Sequence, residues 1–398
     1  MRKFTRFFAA VTAVTMVAAS LAGCGNTGSK STEAGSEAAS ASAESGTLKI
    51  GGIGPTTGGA AVYGQAVKNA AELAVKEINE AGGIVGMQIE FKYEDDEHDA
   101  EKSVNAYNSL KDWGMQMLMG TVTSTPCTAV VEKSHEDNMF QLTPSGSAVD
   151  SIKYDNAFRV CFSDPNQGAA SAVYIGENKL ASKVAVIYNS SDVYSSGIYE
   201  KFAAEAENQD FEIVSAEAFT EDSKTDFSVQ LQKAKDAGAE MVFLPIYYTE
   251  ASLILTQANA MGYAPTFFGC DGLDGILAVE NFDTSLAEGV MLLTPFAADA
   301  EDELTKSFVS AYQEAYGEIP NQFAADAYDA MYIIKAAAEK AGITADMSVS
   351  DMCDAMKTAM TEITLDGLTG TGMTWTADGE PDKAPKAVVI KDGVYTAM

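Results

Sequence analysis

The sequence pattern that most constrains the fold is a regular alternation of short β-rich runs with amphipathic stretches of helical period, beginning at Thr47. Runs rich in β-branched and aromatic residues predict strands, and apolar residues three or four positions apart predict helices. Strands that alternate with helices at this spacing pack as parallel sheets with right-handed crossovers. The alternation therefore predicts an α/β protein.

The alternation runs through the chain twice, with a break near 163–165. The helical stretches at 302–316 and 322–341 exceed what a second sheet needs, so the chain is expected to cross back near Thr294. We predict two doubly wound α/β lobes joined by a multi-crossover hinge, with lobe 1 at 47–163 plus 295–370 and lobe 2 at 164–294 plus 371–398. The predicted strands are 48–54, 89–94, 115–120 and 139–144, then 183–189, 211–219, 239–246 and 265–270.

The first 24 residues follow a different pattern, in which a basic start at Arg2, Lys3 and Arg6 precedes an apolar stretch that ends in Leu21-Ala22-Gly23-Cys24. Such a segment is typical of a secretory signal. The apolar stretch is too short for a confident membrane span. Small residues directly before a cysteine resemble a lipobox, which predicts a lipoprotein signal at 1–24 with Cys24 acylated by fatty acids such as palmitate. An ordinary signal peptide that contains a cysteine is the alternative.

Residues 25–46 contain no large apolar side chain, so nothing in them offsets the entropy of ordering a backbone. This composition predicts a flexible tether. Two acyl chains would hold the protein at a membrane surface without a spanning helix. The expected location is the extracytoplasmic face of the cell membrane, with the protein anchored there through its lipid.

The charge balance disfavours nucleic acid as a partner. With 26 Lys and Arg against 57 Asp and Glu the formal net charge is -31, and removal of Arg2, Lys3 and Arg6 would take it to -34. Phosphate backbones are bound by clustered basic residues, and the body of the chain has no basic run. The acidity is interpreted as a device for solubility.

The residues that carry catalytic, cofactor or metal chemistry are few. The glycine run 51–59 fits neither the dinucleotide-binding nor the P-loop motif, so no cofactor is expected. The only histidines are His98 and His135, in no recognisable nucleophile or metal setting. The acidic stretch 95–99 lacks the spacing of a calcium loop and is interpreted as a solvated turn. The cysteines at 127, 161, 270 and 353 indicate neither a zinc site nor a dense disulfide framework.

Two hydroxyl-rich turns follow predicted strands, at 121–125 and at 143–147. In open α/β sheets, ligands bind outside the carboxyl ends of the strands. Ser124 and Thr125 stand directly before Pro126, which is typical of a first helical turn. The free N–H groups of a helix start favour an anion such as a carboxylate. Helix capping alone would also explain these hydroxyls.

With these turns in place, the chain from Thr47 onward resembles the type I periplasmic binding proteins of branched-chain amino acid ABC transporters. No single segment is specific for this family, but the order and spacing of the segments are. The segments that carry the resemblance are 50–65 (IGGIGPTTGGAAVYGQ), 74–99, 120–130 (GTVTSTPCTAV), 143–147 (TPSGS), 158–168 (FRVCFSDPNQG), 226–262 and 323–342.

The resemblance implies where a ligand would bind. Ser124 and Ser147 should hold its α-carboxylate, and Ser145 and Ser147, on either side of Gly146, should also face its ammonium. Asp271 falls where the family places an acidic residue for the amino group. The family often has Glu there, so the shorter Asp leaves a water-bridged contact as an alternative to a direct one. The aromatic contacts would come from Tyr63, Tyr194, Tyr247 or Tyr248, and Phe323.

The function expected from the resemblance is capture of an amino acid, branched-chain or otherwise apolar, and its delivery to the permease subunits of an ABC importer with their ATPases. A sensory or regulatory ligand-binding protein of the same fold is the alternative. An enzyme is the third hypothesis, disfavoured because the sequence shows no activated nucleophile or metal set.

Overall fold

The computed structural model describes residues 46–398. The predicted signal, the acylation site at Cys24 and the tether up to residue 45 lie outside these residues. Among the described residues, no helix is long and apolar enough to cross a membrane. The four cysteines that follow residue 46 are buried free thiols.

The first sheet has five strands in the order β2-β1-β3-β4-β5, all parallel. The four strands predicted for this lobe are present, and β5 is an addition. At three residues, β5 is too short to leave a periodic pattern. The strands are β1 (Thr47–Gly54), β2 (Gln88–Asp95), β3 (Met117–Gly120), β4 (Gln141–Thr143) and β5 (Ala157–Arg159).

The helices of the first half alternate with these strands, as the pattern predicted. Helix α1 buries one face of small and β-branched side chains, including Ala70 and Val67. The chain then reverses through positive-φ glycines at Gly82 and Gly83, a conformation that costs other residues more. The helices are α1 (Ala61–Glu80), α2 (Ala100–Trp113) and α3 (Ser124–Glu136).

The second sheet has seven strands in the order β12-β11-β10-β9-β8-β6-β7, parallel except for β11 and β12. The pattern predicted β6 to β9 and missed β10 to β12. The strands are β6 (Lys183–Asn189), β7 (Glu212–Phe219), β8 (Met241–Leu244), β9 (Thr266–Gly269), β10 (Met291–Thr294), β11 (Lys386–Lys391) and β12 (Val394–Ala397). Its helices are α4 (Asp164–Glu177), α5 (Val193–Ala206), α6 (Ser228–Asp236) and α7 (Tyr248–Ala260).

After β10 the chain contributes helices that pack beside the first sheet. There α9 packs against α1, and Tyr328 of α9 donates a 2.6 Å hydrogen bond to Glu77. The helices are α8 (Glu303–Tyr316), α9 (Gln322–Ala341) and α10 (Val349–Met360).

The last crossing follows later. Trp375 donates to the carbonyl of Arg159 at 2.8 Å, and the Arg159 N–H donates to Gly379 at 3.1 Å, so this segment is bonded to the end of β5. Lys386 then opens β11 in the second sheet. These contacts favour a crossing nearer residue 385 than the predicted 371, and the lobe boundaries themselves stay a prediction.

Candidate functional site

A small cavity lies between the carboxyl ends of the two sets of parallel strands. One wall comes from the turns after β3 and β4 together with α1 and α9, and the other from the start of α5 and the turns after β8 and β9. The lining residues are Tyr63, Val122, Thr123, Ser124, Ser145, Ser147, Tyr194, Tyr247, Asp271, Gly272 and Phe323.

The wall of the first lobe presents hydroxyl groups and the start of a helix. Ser124 is the first residue of α3, and its Oγ accepts a 3.1 Å hydrogen bond from the backbone N–H of Ala148. Ser147 Oγ lies 3.4 Å from Ser124 Oγ, and Ser145 Oγ donates to the carbonyl of Val122 at 2.6 Å. Because the first N–H groups of a helix have no acceptor within it, this wall offers donors without a negative charge. It can bind an anion.

The wall of the second lobe presents a buried carboxylate. Asp271 follows β9, is 3% exposed, and accepts a 2.6 Å hydrogen bond from the hydroxyl of Tyr194. Its backbone N–H donates to Gln167 Oε1 at 3.2 Å. Burial raises the pKa of Asp271 to about 6, although the bond from Tyr194 opposes that rise. A cationic group of a ligand would stabilise such a poorly solvated anion.

A second buried carboxyl group and a buried cation stand behind the serine turn. Arg159 is fully buried and donates to the backbone carbonyls of Ser147 and, at 3.3 Å, Gly146. These bonds fix the carbonyl side of the turn, so Gly146 is packed inside and does not line the cavity. Asp164 is 1% exposed, and burial raises its pKa well above the usual range while Ser147 and Arg159 oppose this.

Aromatic side chains fill the remaining surface of the cavity. The rings of Tyr63 and Phe323 have centroids 4.1 Å apart, and Tyr194 and Tyr247 are stacked at 4.7 Å. The hydroxyl of Tyr247 is buried and has no hydrogen-bond partner in the structure. This part of the cavity suits an apolar group.

Hydrogen bonds between the two lobes hold the cleft closed around the cavity. Tyr63 of α1 donates to the carbonyl of Gly272 at 2.5 Å and accepts from the N–H of Tyr248 at 3.2 Å. The Tyr248 hydroxyl in turn accepts from the N–H of Val62 at 3.1 Å. At the rim, Thr249 donates to Gly59 at 2.6 Å. On the opposite side, Thr125 donates to Asp192 at 3.2 Å. The structure is therefore a closed form of the cleft.

The structure brings most of the predicted site residues together, and their binding roles stay a prediction. Gly146 and Tyr248 do not line the cavity, because Gly146 is held behind the turn and the Tyr248 hydroxyl bonds to the backbone of α1. Of the two tyrosines left open by the sequence, Tyr247 is the one that lines it. The lining residues not named individually from the sequence are Val122 and Thr123, which lie in the predicted turn at 121–125, and Gly272, which follows Asp271.

The acidic turn after β2 differs from the expectation of a solvated loop. Asp96 is fully buried and accepts the N–H of His98 at 2.9 Å, and burial raises its pKa to about 7. Asp95 accepts the N–H of Thr56 at 2.8 Å. Both side chains therefore organise loop backbone. Within residues 46–398 no group of His, Cys, Asp or Glu is arranged to hold a metal ion.

Comparison with known proteins gives a consistent result. The family model described as periplasmic binding protein matches residues 47–393. The Leu/Ile/Val-binding protein homolog 3 of Brucella melitensis is 32% identical over 310 residues, 77% of this chain and 82% of that protein. A leucine-, isoleucine-, valine-, threonine- and alanine-binding protein of Pseudomonas aeruginosa is 28% identical over 298 residues, 74% of this chain and 79% of that protein.

A solved structure is similar over nearly its whole length. It is the branched-chain amino acid transporter substrate binding protein LivJ of Streptococcus pneumoniae in complex with isoleucine. The TM-score is 0.80 at 29% sequence identity, and the match covers 88% of this chain and 98% of that one.

Proposed function

Since this chain belongs to the periplasmic binding protein family, which serves ABC transporters and is not a family of enzymes, we propose that it binds an apolar amino acid between its lobes for an importer. The family, the two-lobed α/β fold and the assignment as an extracytoplasmic solute-binding protein confirm what the sequence predicted. The identity of the ligand and the roles of the individual residues are proposals.

The observation that carries the proposal is the separation of charge between the two walls of the cavity. Hydroxyls and a helix start face it from one lobe, and the buried carboxylate of Asp271 faces it from the other. A zwitterion taken out of water must have both charges satisfied, because an unpaired buried charge costs several kcal/mol. An α-amino acid with its carboxylate at Ser124 and Ser147 and its ammonium at Asp271 meets that requirement.

The aromatic surface supports an apolar side chain. Tyr63, Tyr247 and Phe323 offer ring faces and edges beside Val122. Burying one methylene contributes about 0.8 kcal/mol, so leucine and isoleucine should bind more tightly than alanine. The relatives from Brucella and Pseudomonas, which are named for such ligands, support the same choice.

A calorimetric titration tests the zwitterion requirement. The mature protein is screened against the twenty amino acids, and the best ligand is then compared with analogues that lack one charge. If leucine is the best, 4-methyl-2-oxopentanoate lacks the ammonium and 3-methylbutylamine lacks the carboxylate. Each analogue should bind at least about 30-fold more weakly. Equal binding of either analogue would overturn the charge assignment, and absence of binding by any amino acid would overturn the function.

The lipid anchor is part of the same proposal. It is supported by the basic start, the apolar stretch and Leu21-Ala22-Gly23-Cys24, and by the polar segment that follows. Cys24→Ser should release the protein from membranes, whereas Ser31→Ala in the tether should leave it there. Membrane retention of the Cys24→Ser protein equal to that of the native protein would contradict the anchor.

A further inference from the structure

A second and larger cavity, of about 270 Å³, lies between the lobes on the outer side of Tyr247. Among residues 46–398, Tyr247 alone lines both cavities. We call this second space the outer chamber. Its other lining residues are Gly59, Ala60, Glu97, His98, Asp99, Lys102, Asn189, Asp192, Ser195, Phe219, Glu221, Lys224, Ile246 and Glu250.

The outer chamber has a net negative wall. Its carboxylates are Glu97, Asp99, Asp192, Glu221 and Glu250, and its ammonium groups are Lys102 and Lys224, so two cations against five anions leave -3. Burial lowers the pKa of His98, which keeps that ring neutral at pH 7. The inner cavity, in contrast, has one carboxylate in its lining.

Each of the two lysines forms a short ion pair with one carboxylate of the chamber, Lys102 with Glu97 and Lys224 with Glu221. Lys102 Nζ lies 2.6 Å from Glu97 Oε2, and both residues belong to the first lobe. Lys224 lies 2.6 Å from Glu221 but 3.7 Å from Glu250. Glu250 is 9% exposed, and burial raises its pKa. Its carboxylate is therefore a poorly solvated anion that shares the cation of Lys224 with Glu221.

Tyr247 forms the partition between the two spaces. Its ring stacks on Tyr194 at 4.7 Å on the inner side and meets the edge of His98 at 5.4 Å on the outer side. The buried hydroxyl makes no hydrogen bond within the described residues, and the ring is held by its aromatic packing. A ligand that occupies both cavities would have to displace this ring.

We propose that the outer chamber is a second subsite, which receives the cationic end of a long amino-acid side chain beside Glu250. The inference rests on the proposed function, since the α-ammonium and α-carboxylate of the same ligand would occupy the inner cavity. The chemical class is an amine or guanidinium at the end of an apolar stem. The stem packs along the aromatic surface past Tyr247, and the cation meets the wall that has excess negative charge.

The matched pair of lysine and norleucine tests the proposal, because the two ligands differ only in the terminal ammonium group. At pH 7.5, calorimetry should give lysine an affinity at least equal to that of norleucine, although a buried ammonium without a partner would cost it several kcal/mol. Glu250→Gln should weaken lysine binding about tenfold or more and change leucine binding less than twofold. Glu339→Gln, on the surface of α9, is the matched control.

A second variant should change lysine affinity in the opposite direction, which distinguishes a direct effect on the subsite from a general defect in folding. Lys224→Gln removes the resident cation and should strengthen lysine binding about threefold. Weakening of lysine and leucine alike by both variants would overturn the subsite. Binding of leucine with none of lysine would also overturn it, while leaving the proposed function intact. Failure of every amino acid to bind would instead refute the proposed function.

Discussion

The two walls of the inner cavity differ in kind. The first lobe contributes neutral donors, the hydroxyl of Ser124 at the start of α3 and that of Ser147 in the turn after β4, whereas the second contributes the carboxylate of Asp271 with the phenol of Tyr194 bonded to it. In the cavity lining, the carboxylate lies on the second wall and the serine hydroxyls lie on the first. The ligand is therefore expected to join the lobes, with each lobe binding one charge.

Removing the negative charge of the second wall should have the largest effect. Asp271→Asn keeps the size of the side chain and leaves the ligand ammonium without an anionic partner. Loss of one partner of a buried charge pair costs about 2 to 5 kcal/mol, so binding should weaken about 30-fold or more in a calorimetric titration.

The exposed Asp283→Asn, which follows the same strand, serves as the control and should bind normally. Native affinity of the Asp271→Asn protein would mean that the two walls do not divide the ligand charges. A lowered melting temperature of the empty protein with native affinity would show instead that Asp271 has only a structural role.

The buried contact between the walls should have the next largest effect. In Tyr63→Phe the ring keeps its packing on Phe323, while the Gly272 carbonyl and the Tyr248 N–H lose their partner in the closed form. An unsatisfied buried group costs about 1 to 3 kcal/mol, so affinity should fall about tenfold.

Because the cost arises only on closure, the stability of the empty, open protein should change little, and solution scattering with ligand should show a larger radius of gyration than the native complex. An unchanged affinity would mean that the hydrogen bonds of Tyr63 do not contribute to the free energy of closure.

Much of the fold was predictable because it depends on local periodicity. Helices α8 and α9 and the longer strands carry repeating patterns of several residues, and their predicted ranges agree with the structure within a few positions. Strand β5, at three residues, and β10, at four, are too short for a pattern. Strands β11 and β12 pair antiparallel after a long return through the first lobe, which no local signal records.

The candidate site was predictable only in part, because it is assembled by tertiary contacts. The hydroxyl turns were evident from their position after strands, and Asp271 came from the resemblance. Sequence could not choose between Tyr247 and Tyr248, since the choice depends on which side of the first turn of α7 faces the cleft. The outer chamber joins residues from several loops of both lobes, and none of these loops carries a motif.

The effect of pH on binding should be smaller than the effects of these substitutions. Acidification should weaken ligand binding but stabilise the empty protein. Burial raises the pKa of Asp271 to about 6, so its ionised fraction falls from about nine-tenths at pH 7 to about a quarter at pH 5.5. Affinity for the amino acid should then fall about fourfold. In this closed form the folded-state pKa is above the unfolded value of 3.8, so the contribution of this group to stability is present at low pH and is lost as pH rises from about 4 to 6.

Burial also raises the pKa of Asp274 and Asp326 to about 7, with the same sign. Asp326 lies on α9 within the first lobe, so its contribution does not depend on closure, and the melting temperature of the empty protein should rise on acidification from pH 7 to pH 5.5 while ligand affinity falls. The Asp271→Asn protein should lose most of the pH dependence of binding. A native profile in that variant would assign the titration to another buried carboxyl group, such as Asp164.

The smallest effect is expected where the lobes meet at the rim. Thr249 donates to the carbonyl of Gly59 at 2.6 Å in an exposed position, so water can replace either partner when the bond is lost. A typical hydrogen bond of this kind contributes about 0.5 kcal/mol, and Thr249→Val should weaken binding only about twofold. The substitution keeps the shape of the side chain, which restricts the change to the hydroxyl. If calorimetry gave a tenfold loss, as expected for Tyr63→Phe, the rim and not the buried contact would determine closure. A twofold loss would instead indicate that most of the free energy of closure comes from the cavity. There the ligand charges bind to groups on both walls, and Tyr63 of the first lobe bonds to the backbone of the second.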